Sequence, residues 1–165
     1  MAVLFLLLFS LCLADVSPSE HEQEVQLRRG KCSMYWFAFR SRCYKYIATA
    51  MSWADAELQC LSEGANLASI HSLEEHAFVN SLIKNLDPAQ EHTWIGLSDN
   101  HKDERWMWSD GSKVNFVYWE TVEPRNDDDG LQHCVHTNWG SEWKWKHSMC
   151  FNLLPFVCAS RTACP

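Results

Sequence analysis

The rhythm of apolar and polar positions changes several times along this chain, and each change marks an element. Residues 1–14, from Met1 to Ala14, form an almost unbroken apolar run. It is too short to span a bilayer and ends in a small residue before polar sequence, which reads as a secretory signal cleaved near Ala14-Asp15. Residues 15–31 are polar and charged with no apolar periodicity, the texture of a flexible leader. The domain proper starts near Cys32. Two short aromatic runs, Met34 to Phe39 and Cys43 to Ile47, suit the strands of a hairpin, and a Cys32–Cys43 bridge is local enough to close it.

Two stretches with helical periodicity follow. Ser52 is placed to cap a helix over Trp53 to Ser62, in which Trp53, Ala56 and Cys60 share a stripe and Gly64 lies just past the end. Ser72 and Glu75 have capping-box spacing for a helix over Leu73 to Leu86, where Phe78, Leu82 and Leu86 recur every four residues and Asp87-Pro88 makes the stop. Glu74 and Glu75 are expected on its solvated surface. Beyond Pro88 the pattern shortens to β-type runs, Thr93 to Leu97, Arg105 to Trp108, Cys134 to Thr137 and Pro155 to Cys158, separated by Gly, Asn and Asp. Helices first and strands afterwards predict an α+β domain.

Composition narrows the setting. The 165 residues leave room for one domain with a full core. A formal charge of −7 argues against nucleic acid as a partner, because phosphate contacts rest on clustered Lys and Arg. No second apolar run reaches spanning length, so no membrane insertion is expected. The chain has eight cysteines, a usage that fits an oxidising compartment, and Cys12 leaves with the signal. Of the seven that remain, six can pair and one cannot, and spacing alone leaves many connectivities open. Cys164, one residue from the C-terminus, is the natural candidate for a disulfide between two copies, the alternative being a capped or unpaired thiol.

Trp94-Ile95-Gly96-Leu97, Trp106-Met107-Trp108-Ser109-Asp110-Gly111, Trp119, Glu123-Pro124, Cys134, Trp145, Cys150 and Phe156-Val157-Cys158 stand in an order that resembles the C-type lectin-like domain, over about Cys32 to Cys158. Within that family the chain is similar to small secreted fish lectins, a group that includes calcium-independent lactose-binding mucus lectins and type II antifreeze proteins. The resemblance implies two helices, two small antiparallel sheets and a long ligand-binding loop between Gly111 and Cys134. It also implies bridges Cys60–Cys158 and Cys134–Cys150. The chain then divides into a signal at 1–14, a leader at 15–31, a lectin-like domain at 32–158 and a tail at 159–165.

Family members that bind sugar through calcium carry Glu-Pro-Asn or Gln-Pro-Asp, a Glu just before a cysteine, and Asn-Asp after a tryptophan. Here Glu123-Pro124 match, Arg125 replaces the Asn with Asn126 one residue on, Gln132 replaces the Glu ahead of His133, and Lys146-His147 replace Asn-Asp. Calcium takes about six to eight oxygen ligands, which an ammonium and an imidazole do not supply. No metal or other cofactor is therefore expected; if calcium is bound, Glu123, Asn126, Asp127 and Asp128 are its ligands. A second family calcium site, using Asp99 and Asp103, is only partly kept. A sugar held without the ion needs paired donors and acceptors and a ring to stack on. Glu123, Arg125, Asn126, Gln132, Lys146 and His147 offer the polar groups and Trp143 an exposed ring, whereas the resemblance puts Trp94, Trp106 and Trp145 in the core.

Enzyme chemistry finds little support. His71 and His76 lack a His-Glu-x-x-His pattern, His133 and His136 have the odd spacing that points them to opposite faces of a strand, and no Gly-x-Ser-x-Gly elbow or phosphate loop occurs. Together with the resemblance, these residues point to a secreted lectin that recognises β-galactosides such as lactose on microbial or cell-surface glycans without calcium. A homodimer linked through Cys164 would present two sites and agglutinate its targets in mucosal innate defence. The alternatives are a calcium-dependent galactose- or mannose-binding lectin, an ice-binding protein, and a protein-binding module with no sugar activity.

Overall fold

The computed structural model describes residues 26–124 and 132–160. The expected signal, most of the leader and the tail with Cys164 lie outside the described residues, as do Arg125, Asn126 and the Asp127 to Asp129 run. Ten elements follow in chain order: β1 (Phe37–Phe39), β2 (Arg42–Met51), α1 (Trp53–Ser62), β3 (Ala65–Leu67), α2 (Leu73–Leu86), β4 (Thr93–Ser98), β5 (Met107–Trp108), β6 (Gln132–Trp139), β7 (Lys144–Met149) and β8 (Leu154–Ser160). The sheet runs β1-β2-β8-β4-β6-β7, with β3 on β8 and β5 on β4. Every pairing is antiparallel except that of β4 with β8, which meet in parallel at one register pair, Trp94 with Phe156. That pair joins the two small sheets that the resemblance implied.

Both helices begin where their caps predict. The Ser52 hydroxyl accepts from the amide of Asp55 at 3.3 Å, and the Ser72 hydroxyl from that of Glu75 at 3.2 Å. α1 buries Trp53, Ala56 and Cys60, while α2 buries Phe78, Val79, Leu82 and Ile83. Leu86 departs from its expected place on the stripe and is 45% exposed. Each step of four residues over-rotates the helix face by about 40°, so two steps after Phe78 the side chain has left the core.

Glu75 also departs from expectation, because it is buried and engaged. Its carboxylate accepts from the His71 amide at 2.6 Å, from Arg42 Nη1 at 2.9 Å and from the Tyr44 hydroxyl. The same Arg42 nitrogen donates to the Ser69 carbonyl at 2.9 Å, and its Nε donates to the Ser160 carbonyl at 3.1 Å. One guanidinium thus ties β2, α2, β8 and the segment after β3 together. Complete pairing is what makes such a buried charge tolerable.

Two strands were not legible beforehand. β3 is three residues long, and β7 alternates in a way its composition hides: Trp145 and His147 are buried, while Lys144 and Lys146 face outward. A histidine scored as polar conceals a period of two. The bridges Cys32–Cys43, Cys60–Cys158 and Cys134–Cys150 are all formed. The second closes a separation of 98 residues, for which chain-entropy arguments give on the order of 4–5 kcal/mol.

In the middle of β4, Gly96 has no room for a side chain. A Cβ there would lie 2.6 Å from the Leu67 carbonyl oxygen and 2.9 Å from Ser109 Oγ. Gly96→Ala is therefore expected to cost about 1–3 kcal/mol, read as a lower urea midpoint; an unchanged midpoint would mean that β3 and β4 separate easily.

Candidate functional site

The segment after β5 leaves the sheet and returns to it under a clear pattern. Val114, Phe116 and Tyr118 are partly buried against the core, while Lys113, Asn115 and Val117 between them are exposed. The chain then runs parallel to β7. The Trp145 amide donates to the Tyr118 carbonyl at 2.8 Å, and the Glu120 amide donates to the Trp145 carbonyl at 2.9 Å. A turn closed by the Glu123 amide on the Glu120 carbonyl at 2.9 Å delivers Glu123 to the sheet, and its peptide bond to Pro124 is cis.

There the Glu123 carboxylate contacts His147 Nδ1, each side chain being 3% exposed. Among the described residues, neither contacting atom has another hydrogen-bond partner. A carboxylate can only accept, so Nδ1 carries the hydrogen. The Trp106 ring stands 6.0 Å from that of His147 and 4.9 Å from that of Trp119, walling one side of the pair. By itself the pair offers a calcium ion one carboxylate, already in contact with an imidazole, where the ion takes about six to eight oxygens; the other expected calcium ligands, Asn126, Asp127 and Asp128, lie outside the described residues.

The other expected sugar contacts divide between two places. Gln132 opens β6 opposite Met149 and lies at the same end of the sheet as Glu123 and His147. Lys146 does not join them, because neighbours on a strand face opposite sides. Its ammonium sits 4.1 Å over the Trp139 ring, in a cluster where the His92 and His136 rings stack at 4.6 Å. Trp143 is 39% exposed in the turn between β6 and β7. Four residues of strand, about 13 Å, separate it from His147. Trp94 and Trp145 lie in the core as expected, and Trp106 is partly buried.

His133 and His136 do face apart, the former toward Asp99 and the latter toward His92. Asp99, Asp103 and His133 each offer one donor atom within 4.8 Å of the others. Sequence reasoning weighed the two aspartates together without the histidine. What brings His133 in is the pairing of β4 with β6, which no local pattern announces.

His76 and His136 are held neutral well into acid. Burial pushes His76 down to about 4, and the Trp145 indole N–H, 3.2 Å from Nδ1, requires that nitrogen to be a free acceptor. Burial also pushes His136 down to about 4, opposed by the Thr137 carbonyl and helped by His92, Lys146 and His147. Unfolded, both titrate near 6.5, so below that pH the unfolded chain takes up protons that the native state refuses. Their contribution is expected to be fully present above pH ~6.5 and to be lost toward pH ~4, by about 1.4 kcal/mol per pH unit for each ring. Urea midpoints across that window, with His136→Gln for comparison, measure it; identical slopes in the two proteins would contradict it.

His147→Ala leaves the Glu123 carboxylate buried and unpaired, at an expected cost of about 3–5 kcal/mol. Adding Glu123→Leu should recover most of that loss. Unfolding midpoints of the four proteins in this cycle decide it, and strictly additive costs would show that the contact contributes nothing.

Comparison with known proteins adds a lineage. The lectin C-type domain family matches residues 49–160. Ladderlectin from Oncorhynchus mykiss is 39% identical over 127 residues, 77% of this chain, and the match spans 66% of that protein. Lactose-binding lectin l-2 from Anguilla japonica is 39% identical over 158 residues, covering 92% of this chain and 93% of the relative. Among solved structures, herring type II antifreeze protein superposes with a TM-score of 0.72 at 34% identity, over 78% of this chain and 98% of that one.

Proposed function

The chain belongs to the C-type lectin domain family, and from that premise we propose that it is a secreted lectin that binds β-galactosides such as lactose without calcium. The family is one of binding domains rather than catalysts. The calcium-free part rests on the buried contact of Glu123 with His147, since an incoming ion would have to displace the imidazole and then find several oxygens in its place. The galactoside part rests on likeness to a lactose-binding lectin across most of both chains. Secretion is supported by the three paired bridges and the apolar start of the sequence. Among the described residues, no helix is long and apolar enough to cross a membrane.

In this reading Glu123 and His147 form the base of the site, and Gln132, Arg125 and Asn126 make the direct polar contacts. Trp143, exposed in the turn between β6 and β7, provides an outer platform for the rest of a larger glycan, whereas Lys146, on the opposite face of β7, takes no part. A disulfide between two copies through Cys164 makes the molecule bivalent, and bivalency converts modest affinity into agglutination of glycan-coated microbes or cells. The decisive experiment is retention on immobilised lactose in excess chelator, followed by elution with free galactose or free mannose. Retention with release by galactose is expected. Binding lost under chelator would overturn the calcium-free part, and release by mannose alone the galactoside part. Likeness to the herring protein favours ice binding as the second reading, and thermal hysteresis in the purified protein would support it.

A further inference from the structure

At the edge of the sheet opposite β7, where β1 stands first in the strand order, the charge of the chain runs against that of the molecule as a whole. The full sequence has a formal charge of −7, yet between Gln26 and Ala54 it holds no acidic residue and six cations, Arg28, Arg29, Lys31, Arg40, Arg42 and Lys45. Three of these are engaged within the fold: Arg42 with Glu75 at 2.9 Å, Lys45 with Glu63 at 2.6 Å, and Arg40, at the surface, with Glu74 at 4.0 Å. Among the described residues, Arg28, Arg29 and Lys31 form no ion pair, and all three are exposed. The loop that carries them is built into the frame. Leu27 packs against the core, the Ala38 amide donates to the Arg28 carbonyl at 2.7 Å, and Gly30 passes so close to β1 that a Cβ there would lie 2.9 Å from that of Ala38. The Cys32 amide closes a turn on the Arg29 carbonyl at 2.9 Å and the Trp36 amide another on the Ser33 carbonyl at 3.0 Å, with the Cys32–Cys43 bridge and the buried Trp36 ring beneath them. The second turn holds Met34 and Tyr35 out at 65% and 70% exposure, the tyrosine at φ 67°, a left-handed conformation that strains a non-glycine residue.

Neither feature serves the core. A core would draw the methionine and the tyrosine inward, and unpaired cations gain nothing from standing beside one another. Both have a use at an interface whose outer layer is anionic and whose next layer is apolar. Arginine and lysine are drawn to phosphate-bearing headgroups, a tyrosine ring settles at headgroup depth, and a methionine reaches the acyl boundary. A soluble polyanion would recognise the cations but has no place for the two apolar side chains. We infer that the loop over 28–38 is a docking surface for an anionic phospholipid membrane, with Arg28, Arg29 and Lys31 as its electrostatic contact and Met34 and Tyr35 as its interfacial anchors. The chain lies on such a surface and does not cross it. His147, with its partner Glu123, belongs to β7 at the other edge of the sheet, so occupancy of one surface leaves the other free.

This inference does not depend on how the protein holds a glycan, so the test vesicles carry none. Residues 15–25 place Asp15, Glu20, Glu22 and Glu24 ahead of the loop in the sequence, and the chain is therefore tested with them. It is sedimented with vesicles of phosphatidylcholine alone, or of phosphatidylcholine with about one-quarter phosphatidylglycerol. Partitioning onto the anionic vesicles is expected to be at least about tenfold stronger, to weaken as salt is raised and to be unchanged by free lactose. Replacing Arg28, Arg29 and Lys31 together by Gln should lower it by about tenfold or more. The same change in charge at Lys84, Lys102 and Lys113, exposed elsewhere on the molecule, should leave it largely unchanged. Met34→Gln with Tyr35→Asn should also lower it several-fold, and Asn tolerates the left-handed backbone, so this variant loses the ring without endangering the fold. Equal binding to both kinds of vesicle, or equal losses in the two triple-charge variants, would overturn the inference. Undiminished binding by the Met34→Gln, Tyr35→Asn variant would overturn it in favour of a polyanion, which soluble heparin, held equally well by that variant, would identify.

Discussion

The burial of Trp145 fixes the half of the molecule that carries β6, β7 and the loop returning to them. Its indole N–H donates to His76 on α2, and its ring meets those of Trp108 at 5.7 Å, Phe116 at 5.7 Å and Trp119 at 6.1 Å. Its main chain holds the returning loop at Tyr118 and Glu120. Strand alternation does the rest. Once Trp145 faces inward, His147 faces inward as well and Lys146 faces out, and this decides what Glu123 meets when the loop arrives.

Three buried carboxylates show three ways of meeting the cost of desolvation. Glu75 has a guanidinium, an amide and a phenol; Asp99 has an imidazole and an amide; Glu123 has, among the described residues, an imidazole alone. The first arrangement is complete and ties the frame together. The last is sparse, and it stands at the same end of the sheet as Gln132, another of the residues expected to contact sugar.

What the sequence disclosed follows from the range of the interactions involved. The caps at Ser52 and Ser72 act over three residues and were legible, as was the hairpin closed by Cys32–Cys43. Glu75 was misplaced because its partner Arg42 lies 33 residues away, and His133 was separated from Asp99 by 34. β7 went unseen since its inward histidine looks like a solvent-facing one until a carboxylate is found for it. Trp53 was legible from its helical stripe, but Trp94 and Trp145 were recoverable from family resemblance alone; no local pattern distinguishes Trp145, fully buried, from the half-exposed Trp143 two residues earlier.

The parallel pairing of β4 with β8, at Trp94 and Phe156, divides the sheet into halves that are stapled separately. Cys32–Cys43 and Cys60–Cys158 hold β1, β2, α1 and β8, whereas Cys134–Cys150 holds β6 and the end of β7. Each half thus has its own covalent memory of its topology. A substitution in the half that carries β6 and β7 is therefore contained by its own bridge and need not loosen the frame built by the other two.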